Sequence, residues 1–88
     1  MKAIILTQEA CPSCNSLKLF LLAAMGGKYD DKIEFIKKEE NEELYREWVE
    51  RVETMQTPTT IFLDGDEVVE VLTGFNPAKQ KKALETHL

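Results

Sequence analysis

The sequence is poor in the residues that build metal sites. Its 88 residues include two cysteines, Cys11 and Cys14, and a single histidine, His87, close to the other end of the chain. A structural zinc site takes four such ligands, so this composition argues against one, and no bound metal is expected. The two cysteines therefore need another explanation.

Basic side chains and long apolar runs are scarce as well. Lysine and arginine number 11 against 16 aspartates and glutamates, for a net charge of −5. A basic surface for nucleic acid is therefore not expected. The apolar start, Met1 to Leu6, is too short for a signal peptide, and no stretch approaches the length of a membrane span. We expect a cytoplasmic protein that binds neither nucleic acid nor a membrane.

Length and composition also limit the core. The chain is expected to form one domain, residues 1–88, and its hydrophobic share of 43% argues against disorder. A domain of this size buries about 60 to 65% of the surface of its unfolded chain, enough for one core but not for an elaborate substrate cavity. Substrates should therefore dock on the surface, and the protein is expected to be a monomer.

Both cysteines occur in one short motif, Cys11-Pro12-Ser13-Cys14, between an apolar run and a helical pattern. In a cytosol such a pair is more often catalytic or metal-binding than a permanent crosslink. If Cys11 directly precedes a helix, the unpaired N–H groups and the positive end of the helix dipole stabilise its thiolate. Cys11 is then the expected nucleophile. Cys14, one turn further in, is expected to be less exposed and to resolve a mixed disulfide on Cys11.

The hydrophobic pattern predicts an α/β chain with a βαβ unit and a ββα unit joined by a helix. Residues 3–7, 32–37, 60–63 and 68–72 are the predicted strands, and Asp64-Gly65 signals a hairpin between the last two. The first helix should run from Ser13 to about Met25 and be largely buried, with Leu19 and Leu22 widening its apolar stripe. The second begins in the acidic run 39–43 and presents an apolar face that reaches Met55.

The last predicted helix opens at Asn76-Pro77, a capping residue followed by a proline at the first helical position. It should run to about His87, which we expect to be exposed at a frayed end. The complete prediction is a four-stranded mixed sheet with three helices.

Three features together resemble the thioredoxin fold: the order of the elements, the cysteine pair between the first strand and the first helix, and Thr57-Pro58-Thr59 before the third strand. Among the branches of that fold the chain most resembles glutaredoxins and glutaredoxin-like small redoxins. The resemblance covers nearly the whole chain, since the length is that of a minimal glutaredoxin, and Cys-Pro-Ser-Cys is similar to the glutaredoxin Cys-Pro-Tyr-Cys. It implies the minimal thioredoxin (glutaredoxin-like) fold, a cis Pro58, and thiol–disulfide oxidoreductase activity.

The same resemblance implies where substrates bind. A partner peptide or glutathione would pair with the backbone of Thr57 in the manner of an added strand. Thr57 stands where glutaredoxins usually have the valine of Thr-Val-Pro. Gly74, Phe75 and Asn76 stand where glutaredoxins hold the γ-glutamyl end of glutathione with a Gly-Gly pair and two polar residues. The substrate-binding residues that the resemblance implies are Pro12, Ser13, Thr57, Pro58, Gly74, Phe75 and Asn76.

Partners and electron donor follow from the same resemblance. It implies disulfide-containing proteins as substrates, ribonucleotide reductase among them, and no bound cofactor. Two donors stay open: glutathione, and a flavoprotein similar to thioredoxin reductase. Gln8 and Glu9 replace the lysine that often precedes the glutaredoxin motif, and the charge of Glu9 disfavours an anionic tripeptide. The alternative function is a non-catalytic module of the same fold that binds an iron–sulfur cluster or a partner protein.

Overall fold

The computed structural model describes residues 1–88 as one mixed sheet flanked by helices. Its strands are β1 (Lys2–Thr7), β2 (Ile33–Lys37), β3 (Thr59–Asp64) and β4 (Glu67–Thr73). Its helices are α1 (Pro12–Ala23), α2 (Glu42–Val52) and α3 (Pro77–His87), and a single 3₁₀ turn, Asp30–Lys32, leads into β2. The predicted α/β class, with four strands and three α-helices in this order, is confirmed.

The register of the sheet brings three chain segments to one end. The strand order is β2-β1-β3-β4, with β1 and β2 parallel and the other two pairs antiparallel. Leu6 of β1 lies opposite Thr59 of β3, and Thr59 lies opposite Thr73 of β4. The segment after β1, the segment before β3 and the segment after β4 therefore lie side by side at one end of the sheet.

Each face of the sheet carries its own core, because successive side chains of a strand point to opposite faces. Helices α1 and α3 cover one face and α2 covers the other. The first core consists of Ala3, Ile5, Leu17, Leu21, Tyr29, Phe62, Ala83 and Leu84. The second consists of Ile4, Leu6, Ile36, Tyr45, Ile61 and Leu63. Strand β1 contributes to both, which explains its unbroken apolar run.

Helix α1 is buried along a narrower stripe than its sequence predicts. Cys14, Leu17 and Leu21 are buried. Leu19 and Leu22, which should have widened the stripe, are exposed by 64% and 66%. The prediction of a largely buried helix was wrong because α1 packs on the sheet with one face only and no other element covers its outer face.

The ends of two helices also differ from the prediction. Helix α1 stops at Ala23, because the chain turns back through left-handed glycines and the N–H of Gly27 donates to the carbonyl of Leu21 at 3.0 Å. Helix α2 begins at Glu42, within the acidic run where its start was predicted, and the side chain of Asn41 accepts a hydrogen bond from the N–H of Leu44 at 3.3 Å; the helix ends earlier than predicted, at Val52. Met55 lies beyond the end of α2, and 77% of it is exposed.

His87 contacts the sheet and does not lie at a frayed helix end. Its Nε2 lies 2.6 Å from Oε1 of Glu70 on β4, and its ring lies 5.0 Å from the ring of Phe62. Only 17% of its side chain is exposed, which corrects the sequence-based expectation. The contact fixes the end of α3 to the sheet. None of the helices combines the length and the apolar composition that a membrane crossing requires.

Candidate active site

The cysteine pair lies where β1 passes into α1. Cys11 is the N-cap residue of α1, with extended backbone, and Pro12 occupies the first helical turn. The N–H of Cys14 donates to Sγ of Cys11 at 3.2 Å, so a sulfur fills the role that a hydroxyl or amide oxygen plays at most helix starts. The two sulfurs form a disulfide, with the Cα atoms 5.2 Å apart. As the sequence predicts, Cys11 directly precedes the helix.

The two sulfurs differ in access and surroundings. Cys11 is exposed by 7% and Cys14 by 2%, so Cys14 is the deeper of the two. When the disulfide is reduced, the first-turn N–H groups and the helix dipole face the sulfur of Cys11 and favour its thiolate. This arrangement suits an attacking Cys11 and a resolving Cys14.

The segment before β3 contributes Thr57 and Pro58. The peptide bond between them is cis, as the resemblance implied, and Pro58 is fully buried. The segment is fixed on both sides, because Oγ1 of Thr59 donates to the carbonyl of Gln56 at 2.6 Å and the carbonyl of Pro58 accepts from the N–H of Gly74 at 2.8 Å. Thr57 itself is half-buried.

The segment after β4 joins the other two segments. Gly74 adopts a left-handed conformation, with φ of +74°, which turns the chain out of the sheet. The ring of Phe75 meets the ring of Phe20 of α1 edge-on at 5.4 Å. Oδ1 of Asn76 accepts from the N–H of Lys79 at 3.1 Å and caps α3, which leaves the side-chain amide N–H groups free to donate to a ligand.

A buried hydrogen bond fixes the start of α3 to the sheet near this segment. Nε2 of Gln80 donates to Oγ1 of Thr60 at 3.1 Å, and both side chains are fully buried. No pattern in the sequence indicates this pair, since both residues are polar and lie in otherwise apolar surroundings. All the predicted site residues thus lie on the three segments at one end of the sheet: Cys11, Pro12, Ser13, Cys14, Thr57, Pro58, Gly74, Phe75 and Asn76.

Glu9, just before the cysteine pair, has a partner that sequence reasoning missed. Its carboxylate lies 2.5 Å from Nζ of Lys37, and its N–H donates to Oε1 of Glu39 at 3.0 Å. Lys37 is within reach because β1 and β2 are parallel and Thr7 lies opposite Lys37. The hydrogen bond that Lys37 donates and its positive charge hold the pKa of Glu9 below its ordinary value of 4.5. Donation of the same hydrogen bond to the Glu9 carboxylate raises the pKa of Lys37 above its ordinary value of 10.5.

These shifts predict how the pair contributes to stability at different pH values. The lowered pKa of Glu9 means that its contribution is complete above pH 4.5 and is lost as the pH falls through the pKa in the folded protein. The raised pKa of Lys37 means that its contribution is complete below pH 10.5 and is lost as the pH rises further. Glu9→Gln should therefore lower the free energy of unfolding slightly between these limits, since the pair is exposed to solvent.

Urea unfolding of wild type and Glu9→Gln over a pH series measures that difference. Glu85→Gln on the exposed side of α3 is the matched control, because Glu85 forms neither of the ion pairs of the structure. The difference for Glu9 should shrink to zero in acid and with added salt. A difference of unchanged size at the acid end would contradict the pairing.

Comparisons with known proteins match the structure but not the sequence. No family model matches the chain, and no curated protein sequence does. A thioredoxin of Schistosoma mansoni is 17% identical and superposes with a TM-score of 0.74 over 98% of this chain and 77% of its own. The thioredoxin of Fasciola hepatica is 19% identical and superposes with a TM-score of 0.71 over 98% of this chain and 79% of its own. Deadhead, a germline-specific thioredoxin of Drosophila melanogaster, is 22% identical and superposes with a TM-score of 0.68 over 99% of this chain and 82% of its own.

At identities this low the superpositions show a shared fold and nothing more, so the chemistry of the site depends on the residues of this chain. The solved structures named are thioredoxins, so assignment to the glutaredoxin branch stays a prediction from the motifs. The predicted thioredoxin fold is confirmed. The chain is a small thioredoxin-fold protein whose cysteine pair forms a disulfide at the N-terminus of its first helix.

Proposed function

We propose that the protein is a thiol–disulfide oxidoreductase of the glutaredoxin-like kind, which reduces disulfides in proteins or in glutathione mixed disulfides. The observation that carries this proposal is the disulfide between Cys11 and Cys14, at the N-cap of α1 and at the same end of the sheet as the cis Pro58. A crosslink that closes so short a loop contributes little to stability through loop entropy, which favours a chemical role over a structural one.

The reaction begins with the reduced protein. The thiolate of Cys11 attacks one sulfur of a substrate disulfide and forms a mixed disulfide, and the other substrate sulfur leaves as a thiolate that takes up a proton. Cys14 then loses its proton and attacks Sγ of Cys11. The second substrate thiolate leaves and takes up the proton that Cys14 lost, and the disulfide between Cys11 and Cys14 forms. Two electrons and two protons have passed to the substrate, and the structure represents the oxidised end point.

The three segments around the disulfide support a docking role. A partner chain would lie along the backbone of Thr57, as an added strand, and bring its disulfide to Cys11. Pro12 and Ser13, exposed on the first turn of α1, would border it on one side, and Gly74 to Asn76 on the other. Disulfide-containing proteins such as ribonucleotide reductase are the proposed partners.

The electron donor is tested with two coupled assays on one protein disulfide. One supplies glutathione with glutathione reductase and the other supplies thioredoxin reductase, and NADPH consumption is followed in both. A glutaredoxin-like protein should turn over in the first assay. Turnover in the second assay alone would place the protein with the thioredoxins in function as well as in fold, and turnover in neither would contradict the proposal.

The alternative is a module that carries an iron–sulfur cluster. No group of three or more side chains from its histidine, cysteines, aspartates and glutamates could hold a metal ion. A cluster on Cys11 and Cys14 would thus take its remaining ligands from outside the chain. Visible absorbance and bound iron in protein purified without oxygen would favour this alternative over the oxidoreductase.

A further inference from the structure

The hydroxyl group of Thr7 has no hydrogen-bond partner in the structure. Thr7 is the last residue of β1, and it is exposed by only 2%. Its Oγ1 is the one buried side-chain nitrogen or oxygen atom that forms no hydrogen bond. Burial of an unpaired hydroxyl costs free energy that a valine of nearly the same shape would avoid. A role in another state of the protein would explain why a threonine stands here.

Thr7 lies on the face of the sheet that α1 covers. Side chains alternate between the two faces along a strand, and Ala3 and Ile5 of β1 belong to the core of that face together with Leu17 of α1. Thr7 continues their row at the end of the sheet where the cysteine pair lies. Helix α1 runs back along the sheet from that end, and Cys14 is its first buried residue. The two rows therefore place Thr7 against the first turn of α1, beside Cys14.

A pocket of about 320 Å³ agrees with this placement. Thr7 lines it together with Lys18, which follows Cys14 by one helical turn on the same side of α1. Cys14 is as deeply buried as Thr7. Water is therefore largely excluded from both the hydroxyl and the deeper sulfur, and a hydrogen bond between the two groups would satisfy both.

The redox state of the cysteine pair decides whether this hydrogen bond can form. In the structure Cys14 is bonded to Cys11, and a neutral sulfur is a weak hydrogen-bond acceptor. When Cys14 is the attacking thiolate, its sulfur carries a full negative charge where water hardly reaches. A charged acceptor forms a stronger hydrogen bond, and a buried charge without a partner is costly. The hydroxyl of Thr7 thus suits the thiolate better than the disulfide.

We propose that the hydroxyl of Thr7 donates a hydrogen bond to Sγ of Cys14 when Cys14 is the attacking thiolate. This inference rests on the proposed function and assigns a further residue to its resolving step. The hydrogen bond stabilises the charge on Cys14, so a larger fraction of Cys14 is ionised at neutral pH. Thr7 keeps its own proton. The proton that Cys14 loses goes to the leaving substrate thiolate, and an electron pair of its sulfur forms the bond to Sγ of Cys11.

The test separates the two thiol–disulfide exchange steps in time. Reduced protein, free of other thiols, is mixed in a stopped-flow instrument with a symmetric aromatic disulfide whose thiolate is coloured. Attack by Cys11 releases one coloured thiolate, in a first phase whose rate is proportional to the reagent concentration. Attack by Cys14 releases the other, in a second phase whose rate does not depend on that concentration. Enough reagent completes the first phase early, so the second phase measures the resolving step alone.

Thr7→Val keeps the shape of the side chain and removes its hydroxyl. At neutral pH it should slow the second phase about tenfold and leave the first phase unchanged. The pH at which the second phase reaches half of its maximum rate should rise by about 1, so that variant and wild type converge at high pH. Thr7→Ser should restore the wild-type profile. Thr86→Val, which removes a hydroxyl from the last turn of α3, is the control and should change neither phase.

Charged side chains near Thr7 act in the same way on every protein in this comparison. Those that line the pocket with Thr7 belong to α1, to β2 and to the segment after β2, and they are Lys18, Glu34, Lys37 and Glu40. None of them is changed in the variants. A difference between wild type and Thr7→Val at one pH therefore reports on the hydroxyl.

The oxidised protein supplies a second measurement. Its Thr7 hydroxyl has no hydrogen bond to lose, so urea unfolding of oxidised Thr7→Val should show no loss of stability. A clear loss would mean that the hydroxyl is already bonded in this state, and it would overturn the inference.

Three kinetic outcomes would overturn the inference as well. One is a second phase of Thr7→Val that matches wild type at every pH. Another is an equal slowing of both phases, or of the second phase at all pH values, and the third is a Thr7→Ser variant that does not restore the profile. The proposed function has its own readout, because a wild type without a first phase rules out the oxidoreductase itself.

Discussion

Cys11→Ser should abolish disulfide reduction, with turnover of a protein disulfide falling by more than about a thousandfold. A serine hydroxyl at this position is not ionised at neutral pH and cannot form a mixed disulfide, so no later step can compensate for its loss. The fold should survive the change, because serine is a preferred N-cap residue and can accept the hydrogen bond from the N–H of Cys14 that Sγ accepts now.

Two further variants make this result specific. Cys14→Ser should retain the first attack but lose turnover of protein disulfides, because the mixed disulfide on Cys11 is no longer resolved from within. Ser16→Ala, an exposed position on α1, is the control and should leave turnover unchanged. Release of reduced substrate is measured with a protein disulfide and a stoichiometric amount of each pre-reduced variant, with no other thiol present, because an added thiol would itself release the mixed disulfide. Activity that persists in Cys11→Ser would contradict the assignment of the nucleophile.

Phe62→Ala should lower the free energy of unfolding by about 3 to 5 kcal/mol. Phe62 is fully buried in the core between the sheet and helices α1 and α3, which also contains Leu17 and Leu84. The substitution removes the apolar contacts of the ring and leaves a cavity that the surrounding helices fill only in part. Because small domains have a total stability of about 5 to 15 kcal/mol, a large share of the stability is lost.

Urea unfolding followed by tryptophan fluorescence and circular dichroism measures this change. Leu22→Ala is the matched control, since it also shortens an apolar side chain but at a position that is 66% exposed. Its effect should stay within about 0.5 kcal/mol. A loss below about 1 kcal/mol for Phe62→Ala would mean that this core is not close-packed around the ring. If the variant is unfolded without urea, the loss is at least the whole stability of wild type.

The elements of this fold that could be predicted from the sequence are those with local signals. The unbroken apolar run of β1 follows from its burial on both faces, and Asp64-Gly65 stands at a tight hairpin in the structure. Asn76-Pro77 starts α3 as its capping chemistry predicts. The cysteine motif is a local signal too, since its position between an apolar strand pattern and a helical pattern locates the candidate site.

Features that depend on which elements become neighbours could not be predicted in this way. The pattern of α1 shows an apolar stripe but not how much of it the sheet covers, so the pattern predicts burial for Leu19 and Leu22, and both are exposed. The partner of Glu9 is Lys37, which becomes adjacent only when β1 and β2 pair in parallel. His87 and Glu70 are 17 positions apart in the sequence and become neighbours only when α3 folds back along β4.

A pocket of about 330 Å³ on the α2 side of the sheet is also a product of tertiary packing. Its walls come from the segments that follow β1 and β2, from the side of α2 that packs on the sheet, and from the segment before β3. No local pattern in the sequence links Lys38 to Arg46 or either of them to Met55.

The dithiol mechanism is tested most directly by mass spectrometry of intact, reduced Cys14→Ser protein after mixing with a protein disulfide. The mechanism predicts a covalent adduct of one substrate chain, linked through Cys11, that a thiol reductant releases. The variant that lacks both cysteines should form none. If Cys14→Ser formed no adduct, or if Cys11→Ser formed one as readily, Cys11 would not be the attacking thiol and the proposed mechanism would be wrong.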